Sequence, residues 1–100
     1  MVVLVNQDFR GVSREDAEEV SKRLDFQTNP IAGLIAHVLT DIPGGVHATD
    51  IWESEADFHA FAKDRLGPIA EAVAQERGIS MDGMGQPKFE EAYDLDVPGR

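Results

Sequence analysis

Two runs of strand-forming residues, "GLIAHVLT" and "VHATDIW", are separated only by "DIPGG". β-Branched and aromatic runs on either side of a Pro-Gly turn predict an antiparallel hairpin, here with a longer loop. Everything else in the chain has to be placed around that pair.

The flanks repeat one pattern. Before the hairpin, "VVLVNQDF" reads as a strand. "GVSREDAEEVSKRL" then reads as a helix, with Ser13 as N-cap, Asp16 three residues on, and Ala17, Val20 and Leu24 as an apolar stripe. Asn29-Pro30 breaks the chain before the hairpin. After the hairpin, Ser54 caps a second helix whose buried stripe is Phe58, Phe61, Ala62 and Leu66. Gly67-Pro68 kinks or breaks that helix, which resumes as far as Gly78. "KFEEAYDL" is the last strand. The order β-α-β-β-α-β predicts an α+β, ferredoxin-like subunit with a four-stranded antiparallel sheet and both helices on one face. Residues 1–95 form the expected single domain, and residues 96–100 a polar tail.

Neither strand parity is polar throughout. Leu34, Ala36 and Val38 alternate with Ile35 and Leu39, and Val2 to Val5 are apolar on both sides. A sheet face left to water should be polar on one parity. The face away from the helices is therefore expected to be covered by a second copy of the chain, giving a homodimer.

Composition narrows the function classes. The formal charge of −10 repels phosphates and anionic headgroups, which sets aside nucleic acid and membrane surfaces as partners. There is no cysteine, which removes disulfides and thiolate chemistry and fits a cytoplasmic location. The apolar run Val2–Val5 is too short, and lacks the basic flank, for a signal peptide. No histidine or carboxylate spacing suits a metal, and "DGMGQ" does not lie between a strand and a helix, as a phosphate cradle would. No cofactor is expected.

With these residues in view, "GLIAHVLT…GGVHATDIWESEADFHAFAKDRLGPI" resembles the dimeric α/β-barrel superfamily, and within it the small antibiotic-biosynthesis-monooxygenase-like proteins. The likeness runs over about residues 2–95, with "DIWESEADF" its most specific part. It implies two ferredoxin-like subunits with their sheets face to face, forming a dimeric α/β barrel. It also implies a pocket between sheet and helices or at the barrel mouth. Some relatives oxidise aromatic polyketides with oxygen and no metal or flavin; others degrade haem, dechlorinate or decarboxylate. Haem ligation is disfavoured, because His59 lies earlier on the helix than the histidine of such relatives.

With the turn centred between Asp41 and Gly44, His37 is expected near Ala48, Ile35 near Asp50 and Trp52 near Gly33. One face then carries Ile35, His37, Leu39, Val46, Ala48, Asp50 and Trp52. The other carries Leu34, Ala36, Val38, His47, Thr49 and Ile51, and is expected to pack under the helices. The first face has the composition of a ligand pocket: apolar walls and a few polar groups. His37 is the expected base, or else a satisfied core histidine. Asp50, if buried, needs a partner and can orient His37. Trp52 walls the ligand or anchors the sheet. Phe58 reaches the rim or packs in the core. Asn6 hydrogen-bonds the reacting oxygens, as the resemblance implies, or ends the first strand in solvent. A phenol's pKa of about 10 lies above an imidazole's of about 6.5, so the proton transfer is uphill unless donors stabilise the anion.

The resulting expectation is a cofactor-independent monooxygenase-like enzyme with a small aromatic, phenolic or polyketide-like substrate. The rival is a non-enzymatic small-ligand-binding or interaction protein on the same scaffold. Turnover and ligand binding tell them apart.

Overall fold

The computed structural model describes residues 1–99. Arg100, at the end of the expected polar tail, lies outside the described residues. The elements run β1 (Val3–Arg10), α1 (Arg14–Leu24), β2 (Leu34–Ile42), β3 (Gly45–Trp52), α2 (Glu55–Phe61), α3 (Gly67–Arg77) and β4 (Lys88–Glu91), with a π-helical turn at Ala62–Leu66 joining α2 to α3. The four strands form one antiparallel sheet in the order β2-β3-β1-β4. This is the ferredoxin-like arrangement. No helix among the described residues is long and apolar enough to cross a membrane.

Local chemistry accounts for the element ends. Ser13 and Asp16 form a full capping box: the Asp16 backbone N–H donates to Ser13 Oγ at 3.1 Å, and the Ser13 N–H donates to Asp16 Oδ2 at 3.4 Å. Ser54 Oγ accepts from the Asp57 N–H at 3.1 Å. Between α2 and α3 the chain does not break. Pro68 has no N–H, and its ring would crowd the carbonyl one turn back. A π turn absorbs the conflict, with the Gly67 N–H donating to the Ala62 carbonyl.

The hairpin departs from expectation in a way that matters for the site. Ile42 pairs with Gly45, so only Pro43 and Gly44 form the turn. Proline's fixed φ followed by Gly44 at φ +81° is the combination of a type II turn. Gly45 is equally required, because a Cβ there would stand 2.2 Å from the Phe9 carbonyl oxygen. The tighter turn moves the register by two residues. His37 lies opposite Asp50 rather than Ala48, and Ala48 lies opposite Leu39. A shift of two preserves the faces, so His37, Ala48 and Asp50 still share one. A bulge between Leu34 and Ala36 then puts Leu34, not Gly33, opposite Trp52 and leaves Ile35 without a register partner.

The helices cover the face opposite to the one expected. Val46, Ala48, Asp50 and Trp52 are all buried, and the core cluster joins Val3, Val5 and Trp52 of the sheet to Leu24, Phe58 and Phe61 of the helices. Volume decides this: the Trp52 indole needs the Phe58 and Phe61 rings of the helix layer to bury it, and the smaller set with Ala36, Thr49 and Ile51 does not. The face bearing His47 and Thr49 is left open. The last strand is also shorter than expected. It ends at Glu91, which pairs with Val3, and Tyr93 beyond it is fully exposed.

Candidate functional site

On β3 the alternation is strict: every second residue from Val46 to Trp52 is buried and the residues between are half-buried. This places a carboxylate, Asp50, in the interior at 6% exposure. A buried carboxylate can only accept hydrogen bonds and needs them. Two donors meet it. Across the strand pair, His37 Nδ1 lies 2.6 Å from Asp50 Oδ1, and two residues along β3 the Trp52 indole N–H donates to Asp50 Oδ2 at 3.3 Å. Because the carboxylate oxygen accepts, the His37 proton belongs on Nδ1. In the neutral ring the lone pair is then on Nε2. The edge-on ring of Phe26, at a centroid distance of 5.0 Å and an angle of 71°, holds the imidazole from the other side.

His37, Ala48 and Asp50 line a cavity of about 750 Å³ between the sheet and the helices. That is a volume for a small organic ligand. Its helical wall includes Val20, Leu24, Phe58 and Leu66, and Met81 and Met84 of the segment before β4 close one side. The shape of the floor follows from the register. Ala48 lies between Leu39 on β2 and Gln7 on β1, and its short side chain leaves room above the sheet.

Of the residues singled out from sequence, the structure brings His37, Ala48, Asp50 and Phe58 to this cavity. Trp52 is not in its lining. It is fully buried behind the lining, packed on Phe58 and Phe61 at centroid distances of 5.9 and 5.2 Å and bonded to Asp50. Ile35, displaced by the bulge, is not in the lining either. Asn6 is on the other side of the sheet. It pairs with Thr49, and its Oδ1 meets His47 Nε2 and the Thr49 hydroxyl, each at 2.9 Å. The reason is parity: Val3 and Val5 point into the core, so Asn6 between Val5 and Gln7 points out. His59 is at the exposed rim, bonded through Nε2 to Glu55 Oε1 at 3.3 Å. The residue that sequence reasoning missed is Gln7. Its parity with Val3 and Val5 was the available signal, obscured because "NQD" reads as a strand fading into solvent.

The open face carries its own polar network. His47 Nδ1 lies 2.6 Å from Asp8 Oδ1, and this bond holds the Asp8 carboxyl below the usual aspartate value of 3.8.

No family model matches the chain, and no curated protein matches it. Solved structures do. SnoaB, a cofactor-independent oxygenase from Streptomyces nogalater, superposes with a TM-score of 0.59 at 21% identity, over 97% of this chain and 96% of that one. A monooxygenase from the gene ActVA-Orf6 of Streptomyces coelicolor, solved in complex with nanaomycin D, gives 0.57 at 17% identity, over 98% and 91%. Rv0793 from Mycobacterium tuberculosis gives 0.66 at 12% identity, over 97% and 100%. These likenesses, all below 25% identity, show the fold: a ferredoxin-like subunit, as the sequence resemblance implied.

Proposed function

We propose that this protein is a cofactor-independent monooxygenase-like enzyme for a small phenolic aromatic, bound in the cavity between sheet and helices. The observation that carries the reading is the 2.6 Å contact between His37 Nδ1 and the buried Asp50. It fixes the tautomer whose Nε2 can accept a proton, and it does so in the wall of an apolar cavity of ligand size. The oxygenase and monooxygenase named among the structural neighbours support the reaction class.

In this scheme Nε2 of His37 takes the proton of the substrate hydroxyl, and Asp50 stabilises the imidazolium that forms. Trp52 holds Asp50 in place. The phenolate, richer in electrons than the phenol, reacts with dioxygen directly. One oxygen atom becomes the second carbonyl of a quinone. The other leaves as water, carrying the hydroxyl hydrogen and the hydrogen displaced from the ring. Asn6 has no part in it, since it lies on the far side of the sheet. The sheet face left open by the helices supports a homodimer in which a second copy covers it.

Oxygen uptake with a naphthol as probe tests the reading. Turnover by the natural protein, lost in His37→Ala while the naphthol still binds, is the expected result. Naphthol binding with no oxygen uptake by the natural protein would instead make it a small-ligand-binding protein.

A further inference from the structure

Three of the strand residues lining the cavity are polar: Gln7, His37 and Asp50. Asp50 is committed to His37 and Trp52. Both Asp50 oxygens are thus in use, and the other polar positions of the sheet wall are His37 at Nε2 and Gln7.

Gln7 is only partly used. Its Nε2 donates to the Gly85 carbonyl oxygen at 2.8 Å. The neighbouring backbone is held as well, since the Gly85 N–H donates to the Asp8 carbonyl at 2.8 Å. The first of these bonds settles which end of the amide is which, because an amide oxygen turned toward Gly85 would face another acceptor. Oε1 and the second N–H of the amide are left over. Gln7 thus presents a half-buried amide with a fixed orientation and two free bonding positions, in a wall whose other residues are mostly apolar.

Register gives its place relative to His37. Gln7 pairs with Ala48, and His37 with Asp50, on opposite sides of β3. The two residues are thus two strand spacings apart and one same-face step apart along the strands, which puts their α-carbons on the order of 12 Å from each other. The side chains cover part of that distance, and Ala48 leaves the middle open. A single aromatic ring does not reach from one to the other; a fused ring system does.

We infer that Gln7 is a specificity-determining residue that reads a second oxygen substituent, hydroxyl or carbonyl, at the end of a fused-ring ligand remote from the hydroxyl at His37. This rests on the ligand cavity of the proposed function, but not on turnover. The test is equilibrium binding without oxygen of two probes, a naphthol and the dihydroxynaphthalene with its second hydroxyl on the other ring. The natural protein is expected to bind the diol about fivefold more tightly, the value of one net hydrogen bond. In Gln7→Leu that ratio falls to about one. Loss of the Gly85 contact alone would weaken both probes together and leave the ratio intact. Gln7→Met, unbranched and of similar length, gives the same readout should Gln7→Leu not fold. No preference in the natural protein, or an unchanged ratio in the variant, overturns the assignment. The selectivity without oxygen uptake removes the oxygenase and keeps the role of Gln7; oxygen uptake with a flat ratio does the reverse.

Discussion

The sheet has a histidine–aspartate pair on each face, and the two pairs have the same contact length. His37 and Asp50 meet at 2.6 Å under the helices, and His47 and Asp8 meet at 2.6 Å on the open side. In the first, the carboxylate is buried, is steadied by Trp52, and the second ring nitrogen is left for the cavity. In the second, the aspartate side chain is 41% exposed and the other ring nitrogen is already engaged by Asn6 at 2.9 Å. A histidine–aspartate contact is thus not a site in itself. What distinguishes the two is the bonding capacity left over and whether there is room beside it for a ligand.

The largest expected effect separates the pairs by kinetics. His37→Ala is expected to lower oxygen uptake with a naphthol at least about tenfold, toward the hundredfold typical of a lost general base. His47→Ala should change it less than twofold. Equal losses in the two variants would erase the distinction between the faces.

Next is stability. Trp52→Phe removes an indole that is 0% exposed together with its bond to Asp50. An unfolding free energy lower by about 1–3 kcal/mol is expected in urea denaturation. A change of similar size on the open face, from Thr49→Ala, would contradict the burial difference.

A smaller effect concerns the open face alone. Val38 there is 51% exposed in the single subunit, on the same face as half-buried Leu4 and Ile51. Sedimentation at micromolar concentration is expected to give about twice the 11.0 kDa chain mass. Val38→Lys should shift it toward the single chain without changing naphthol affinity. A single-chain mass for the natural protein would mean that this face is built for water.

The smallest effect is a titration. Bonded to His47, Asp8 has a carboxyl pKa below the usual 3.8. A lowered folded value means that its contribution to stability is complete above the unfolded value and is lost as pH falls through the folded one. Carboxyl NMR should show Asp8 titrating below the exposed aspartates, and His47→Ala should return it toward 3.8.

Much of this was legible locally. The caps at Ser13 and Ser54, the apolar stripe of α1 and the alternation of β3 depend on residues within a few positions of one another, so the order of elements followed from the sequence. So did the sharing of one face by His37, Ala48 and Asp50, because it depends only on parity and survived the shift of two residues. Tertiary structure decided the rest. The shorter Pro43-Gly44 turn put Asp50 rather than Ala48 opposite His37, and the bulge moved Ile35 out of register. Asn6 and Gln7 are adjacent polar residues on one strand; Gln7 shares parity with Val3 and Val5, but with Val2 to Val5 apolar on both parities the sequence leaves open which of the two points inward. That was settled by the helices, which cover the face where Trp52, Phe58 and Phe61 can be buried together. Burying those rings is a sum over contacts between residues distant in the chain, whereas caps and alternation are local, so the face given to the helices emerges only on packing.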